Sequence, residues 1–246
     1  MTQPTQLEKR ASHLQVLVSG PCTLSRFGSD LKHCLLFFWL SYRLHWRVVA
    51  AVLVGTILTS IFIIRPFEGD FTKTLYNTLD PAQWKDTSEW ISWSGEYLFS
   101  LTVLIALLVF GKLKQSRRLQ VLAACLLVSF VIGSLTVRVG KLGFGRIRPN
   151  VAESMEIPDT FVGPTTNPKY HSFPSGHTVA AFATSTPIQL TLPVVGVPAS
   201  LYACTIAVSR AYNKQHYLSD LFAGCIIGLL ASYPTRRIWT SLSVKD

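Results

Sequence analysis

The sequence predicts an all-α fold, a polytopic membrane bundle of six transmembrane helices. Three observations carry that reading. Apolar residues make up 49% of the 246-residue chain and charged residues only 15%, against about 25% charged in a typical soluble domain. The charges sit between long uncharged runs, the longest being the 32 residues from Thr178 to Ser209. The 23 Lys and Arg outnumber the 13 Asp and Glu, for a net charge of +10. In a membrane protein such an excess marks cytoplasmic flanks and phosphate-binding sites. A disordered chain would be polar and charge-rich, so that class is excluded. A soluble nucleic-acid binder would not leave so long a run uncharged, and no nucleic-acid partner is expected.

Residues 1–47 read as a cytoplasmic or interfacial N-terminal segment. It is polar and basic to residue 32, and then His33 to Tyr42 is apolar but too short to span. No cleavable signal peptide is expected, because more than forty mixed, basic residues precede the first strong apolar run. The first span is Val48 to Ile64, 17 residues between Arg47 and Arg65. That is the short end for a core of about 30 Å. Residues 66–96 read as a polar loop with six acids and two lysines. Trp90, Trp93 and Tyr97 read as an interfacial aromatic belt, and the second span continues to Phe110. Residues 111–118 form a short loop with four basic residues, followed by the third span, Leu119 to Val137.

A loop from Arg138 to Pro174 follows. The 32-residue uncharged run is too long for one helix, and Pro193, Gly196 and Pro198 break it. The fourth span is therefore about Ser175 to Leu192, the fifth about Pro198 to Arg210, and the sixth about Tyr217 to Tyr233. Residues 48–233 form one six-span domain and 234–246 a cytoplasmic tail. The basic 111–118 loop, the acidic 66–96 loop and Arg236, Arg237 and Lys245 place both termini in the cytoplasm. Five cysteines without a CxxC spacing suggest neither a disulfide framework nor a zinc site; they read as small buried residues.

Three motifs fall at helix ends. One is Lys141-Leu-Gly-Phe-Gly-Arg-Ile-Arg148-Pro149, after the third span. Another is Pro174-Ser175-Gly176-His177, opening the fourth. The last is Ser209-Arg210, five residues, His216, three residues, Asp220, joining the fifth span to the sixth. Counting crossings puts all of them on one membrane face, opposite the basic loop.

Lys141, Arg148 and Arg210 suit a phosphoryl group, since arginine offers planar paired donors and lysine a point charge. Ser175 and Gly176 begin a helix, whose free N–H groups and dipole favour an anion. Asp220, four residues after His216, can share its helix face, fix the imidazole tautomer and leave the other nitrogen to attack. His177 is then available as general acid to the leaving oxygen. Taken singly, each motif also fits an ordinary surface pair, a snorkelling basic cluster or a helix cap. Their conjunction on one face favours the functional reading.

The three motifs resemble the signature of the type 2 phosphatidic acid phosphatase superfamily: K-x6-R-P, P-S-G-H and S-R-x5-H-x3-D. Every fixed position is present in order. The resemblance implies metal-independent dephosphorylation of a lipid phosphate or pyrophosphate, with no cofactor and no metal. It implies His216 as the nucleophile forming a phosphohistidine, Asp220 orienting it and His177 protonating the leaving group. Lys141, Arg148 and Arg210 would hold the phosphate, helped by Ser175 and Gly176. Phosphatidic acid, phosphatidylglycerophosphate, isoprenyl pyrophosphate and lipid A all fit as substrate. The site is expected on the non-cytoplasmic face of an integral membrane protein, in the inner membrane if bacterial. Three rivals stay open: a lipid-to-lipid phosphotransferase, a vanadate-holding haloperoxidase and a non-catalytic lipid-phosphate sensor. Arg146 faces either headgroups or the phosphate. Glu153, Glu156 and Asp159 read as a solvated loop face, and His171 and Lys169 as loop residues.

Overall fold

The computed structural model describes residues 5–18 and 23–243. Among the described residues the regular structure is helical, with one isolated antiparallel bridge between Arg146 and Phe161. The chain is a helical membrane protein. Helices cover each of the six apolar runs. Four helical stretches are long and apolar enough to cross a membrane: Trp46–Thr78, Arg117–Phe144, Pro193–Tyr212 and Leu218–Leu242. The remaining two runs form shorter helices, Phe99–Leu113 and Gly176–Thr191.

The N-terminal segment is built into the bundle. Helices α1 (Gln6–Val18) and α2 (Phe27–Leu44) bury Leu17, Phe37 and Phe38 against Val121 and Val128 of α7 (Arg117–Phe144). Ile238 of the last helix joins the same cluster. Arg117 grips Asp30 through two nitrogens, and Tyr42 donates to the carbonyls of Leu230 and Ala231. Cys34 and Cys125 are buried there as free thiols, as the small-residue reading expects, whereas Cys204 is exposed. Cys22 lies outside the described residues.

The expected polar loop 66–96 is largely helical. Helix α3 (Trp46–Thr59) passes through a π-helical turn and an Arg65–Phe67 turn straight into α4 (Glu68–Thr78). Asp80 then caps α5 (Pro81–Trp93), accepting from the Ala82 amide at 3.0 Å, with Pro81 in the first turn where no donor is needed. A second π-helical turn leads into α6 (Phe99–Leu113). Charge density alone suggested a loop, but one side of each polar helix packs on the neighbouring bundle.

After α7 come the short α8 (Pro149–Ser154), α9 (Gly176–Thr191), α10 (Pro193–Tyr212), α11 (Leu218–Ser232) and α12 (Thr235–Ser243). The helix break in the long apolar run falls at Leu192, earlier than Pro198. Pro193 fits the first turn of α10, and Pro198 is carried inside that helix near its start. α9 is the central helix. Val179 packs with Val137 of α7 and Ile227 of α11, beneath the ends that carry the motifs.

Candidate active site

Each motif is positioned by how its helix starts or stops. α7 ends at Gly145, whose φ is +57°. A Cβ there would lie 2.0 Å from the Gly163 carbonyl oxygen, so only glycine makes the turn. The chain then runs extended between two arms of the following loop. Ile147 donates its amide to Thr160 at 3.1 Å, and the Ser172 amide donates to the Arg146 carbonyl at 3.0 Å. Arg148 donates to Lys169 at 3.1 Å. This clasp returns Lys141 and Arg148 to one side.

Ser175 caps α9: its hydroxyl accepts from the Thr178 hydroxyl at 2.9 Å and lies 3.5 Å from the Thr178 amide. The Ser175 amide donates to the Asp220 carbonyl at 3.1 Å, tying the start of α9 to the start of α11. After α10 a tight turn has the amides of Gln215 and His216 donate to the Arg210 carbonyl at 3.0 and 3.3 Å. That turn presents His216 beside Arg210.

The result is one cavity of about 330 Å³. Lys141, Arg148, Gly176, His177, Arg210 and His216 line its polar end. Tyr97, Phe130, Val137 and Ala180, together with Ser134 and Arg138, line the rest, which runs about two helical turns along α7. Arg148 donates to the Gln215 side chain at 3.1 Å, and Arg210 donates to Ser92 of α5. Two sequence-predicted residues stand behind the wall. Ser175 is fully buried as a cap, and Asp220 is fully buried behind His216. Asp220 Oδ2 lies 3.5 Å from His216 Nδ1, while the Ser172 hydroxyl and the Tyr217 amide donate to that same oxygen at 2.5 and 2.9 Å.

Burial pushes the His216 imidazole down to about 4, against the pull of Asp220. His216 is therefore neutral at physiological pH, the form whose ring nitrogen carries a free lone pair. Burial lowers Arg148 from its ordinary value, with Asp220 opposing. For Arg146 burial also works against the charge, but Asp220, Asp159 and Glu68 outweigh it and raise the group. Among the described residues no cluster of three or more His, Cys, Asp and Glu is placed to hold a metal ion.

All three motifs lie inside residues 122–242, which match the sequence profile of the PAP2 superfamily. The matched stretch is just under half of the chain. Over 98 residues the chain is 34% identical to the lipid A 1-phosphatase of Porphyromonas gingivalis, covering 38% of this chain and 18% of that protein. It thus spans less than a fifth of that relative's length. Over 158 residues it is 27% identical to the undecaprenyl-diphosphatase of Sulfolobus acidocaldarius, covering 61% of this chain and 68% of that protein. A PAP2-type phosphatidylglycerolphosphate phosphatase from Bacillus subtilis shares the fold, with a TM-score of 0.53 and 17% identity over 78% of this chain and 93% of that one.

Two readings of the 138–174 loop need correction. Arg146 faces neither headgroups nor the cavity; it is 0% exposed and bound by carboxylates. Asp159 is not part of a solvated acidic face, because it pairs with Arg146 and Arg65. Glu153 does stay exposed, paired with Lys214 at 2.7 Å. His171 is buried in its own loop, with Nε2 3.0 Å from the Thr165 carbonyl. Sequence reasoning missed Ser172, Ser92 and Glu68. None lies in a motif; only tertiary contact links Ser172 to Asp220, Ser92 to Arg210 and Glu68 to Arg146, outside the cavity.

Proposed function

We propose that this protein is an integral-membrane phosphatase that removes a phosphoryl group from a lipid phosphate or diphosphate through a phosphohistidine. The observation that carries the reading is the single cavity in which three cations and two histidines converge while Asp220 backs one of them. The cations hold the phosphoryl oxygens and offset charge that develops in the transition state. The first amides of α9 add donors for the same group.

In the first step the free ring nitrogen of His216 attacks phosphorus. The bond from phosphorus to the leaving oxygen breaks, and His177 gives that oxygen a proton. In the second step water attacks the phosphohistidine and passes a proton to His177. The P–N bond breaks, which restores His216 and frees inorganic phosphate. Ser175 serves by capping α9. The apolar side chains Tyr97, Phe130, Val137 and Ala180 in the cavity wall support a lipid whose tail stays in the bilayer. A six-span reading with both termini cytoplasmic, drawn from the basic 111–118 loop and the basic C-terminal residues, supports a site on the non-cytoplasmic face.

The test is inorganic phosphate release by detergent-purified protein in EDTA. The panel is phosphatidic acid, phosphatidylglycerophosphate, undecaprenyl diphosphate and lipid A, with His216→Ala beside each. Release on at least one substrate, absent in a folded mutant, is expected. Release that survives in His216→Ala removes it from the nucleophile's place, and an inert wild type on the whole panel refutes the phosphatase reading.

A further inference from the structure

Arg146 occupies none of the fixed positions of the three motifs, yet it is the largest fully buried side chain in the described structure. Burying a guanidinium is costly unless its charge and donors are all met. Here they are met by three carboxylates from three separate parts of the chain. Nε and Nη2 donate to the two oxygens of Asp159 at 2.9 and 2.7 Å. Nη2 also donates to Glu68 at 2.7 Å. Nη1 donates to the Ser219 hydroxyl and to Asp220 Oδ1, each at 2.7 Å. The Tyr217 ring covers the guanidinium face, 3.9 Å from carbon to centroid.

A staple between loops would need only Glu68 and Asp159. The third carboxylate is the one behind His216, and its two oxygens are divided. Oδ1 belongs to Arg146, while Oδ2 faces His216 and takes the Ser172 and Tyr217 donors. We propose that Arg146 is a positioning residue for the phosphoryl transfer described above, acting on His216 through Asp220. This inference rests on that reading of the site.

Asp220 receives one donor from the guanidinium, Nη1, and that donor is held in place because Nε and Nη2 are tied to Asp159 and Glu68; it anchors Oδ1, and so fixes where Oδ2 meets the imidazole. It also offsets the charge of Asp220. Arg138 and Lys141 of α7, Arg148 before α8, His177 of α9 and Arg210 of α10 share the cavity of His216, and Asp220 of α11 stands behind it. On its other side a second cavity adds Arg65, Glu68, Lys73, Tyr76, Glu153, Asp159, Lys214 and Tyr217. Asp220 is the carboxylate that touches the imidazole, and it favours the imidazolium. Without Arg146, Asp220 would draw a proton onto His216 more strongly and shut off attack at a higher pH.

The experiment uses the full chain in detergent, with Arg146→Lys, Arg146→Gln and Glu68→Gln. Turnover of the panel substrate that the wild type hydrolyses is measured in EDTA. Separately, the pH midpoint for carbethoxylation of His216 by diethyl pyrocarbonate is read by peptide mass spectrometry, which needs no substrate. Arg146→Lys keeps the charge and loses the fork. We expect kcat to fall by about tenfold or more with KM within about threefold. Arg146→Gln should raise the His216 midpoint by about one pH unit. Glu68→Gln keeps the guanidinium on Asp220, so it should lower the melting temperature and leave kcat within about threefold. An unchanged midpoint in a folded Arg146→Gln overturns the proposal. So does a loss of kcat of about tenfold or more in a folded Glu68→Gln, and this arm decides the matter if the Arg146 variants do not fold. An inert wild type refutes the phosphatase reading alone, because the midpoint still reports on Arg146.

Discussion

Gly224→Ala adds one carbon where α11 lies against the start of α9. The new Cβ would sit 2.8 Å from the Ser175 carbonyl oxygen and 2.9 Å from Thr178 Cβ. That is roughly 0.6 Å short of ordinary contact. The nearest obstacle is backbone, which cannot rotate away. The helices must therefore separate, at a cost of about 1–3 kcal/mol for overpacking. Gly224 is one turn beyond Asp220, and Ser175 is two residues before His177. The separation thus acts directly between the two halves of the site. A 1 Å misplacement costs about a hundredfold in rate, so a shift of this size should cost on the order of tenfold in kcat. The assay is phosphate release beside a detergent melt, with Gly143→Ala as the control. Nothing lies within 4 Å of a Cβ at Gly143. If Gly224→Ala matches the control in both melting temperature and kcat, this contact does not set the site's spacing.

Other predictions follow from the same geometry. Arg210→Lys should lower kcat/KM by about a hundredfold, because one ammonium cannot both hold a phosphoryl oxygen and keep the Ser92 contact; the same change at Arg237 should cost less than about twofold in parallel assays. His216 attacks only when neutral, and burial pushes it down to about 4. The nucleophile's acid limb in kcat/KM should therefore lie near pH 4 and activity should be retained at pH 5.5; a limb near 6.5 would mean that His216 is not desolvated in solution. Asp30→Asn removes the partner of Arg117 in a site where Asp30 is 1% exposed. It should destabilise the protein by about 3 kcal/mol in a melt and leave kcat within about twofold, because α2 docks at the end of α7 away from Lys141.

Much of the site is legible in the sequence because its parts sit at helix ends. Once the apolar runs are counted, the crossings alone place Lys141, Arg148, His177, Arg210 and His216 together, and one cavity contains all five. The spacing of His216 and Asp220 also foretells their meeting, although Nδ1 and Oδ2 stand 3.5 Å apart with the Ser172 hydroxyl donating to that same oxygen. Ser175 was legible as a helix start, but whether its hydroxyl turns to the cavity or to Thr178 depends on packing.

Composition and the placement of charges determined the helical membrane class and the order of the apolar runs, because water and lipid sort residues by polarity alone. Motif spacing determined which side chains share a face, because helices put fixed distances between sequence positions. Tertiary structure decided the rest. Glu68 lies 78 residues from Arg146 and Asp220 lies 74 away. No local pattern encodes such pairings; a buried guanidinium must find its carboxylates wherever the fold brings them. The same holds for Ser92 on Arg210 and for the polar helices α4 and α5, whose burial against the bundle outweighs the charge density that suggested a loop.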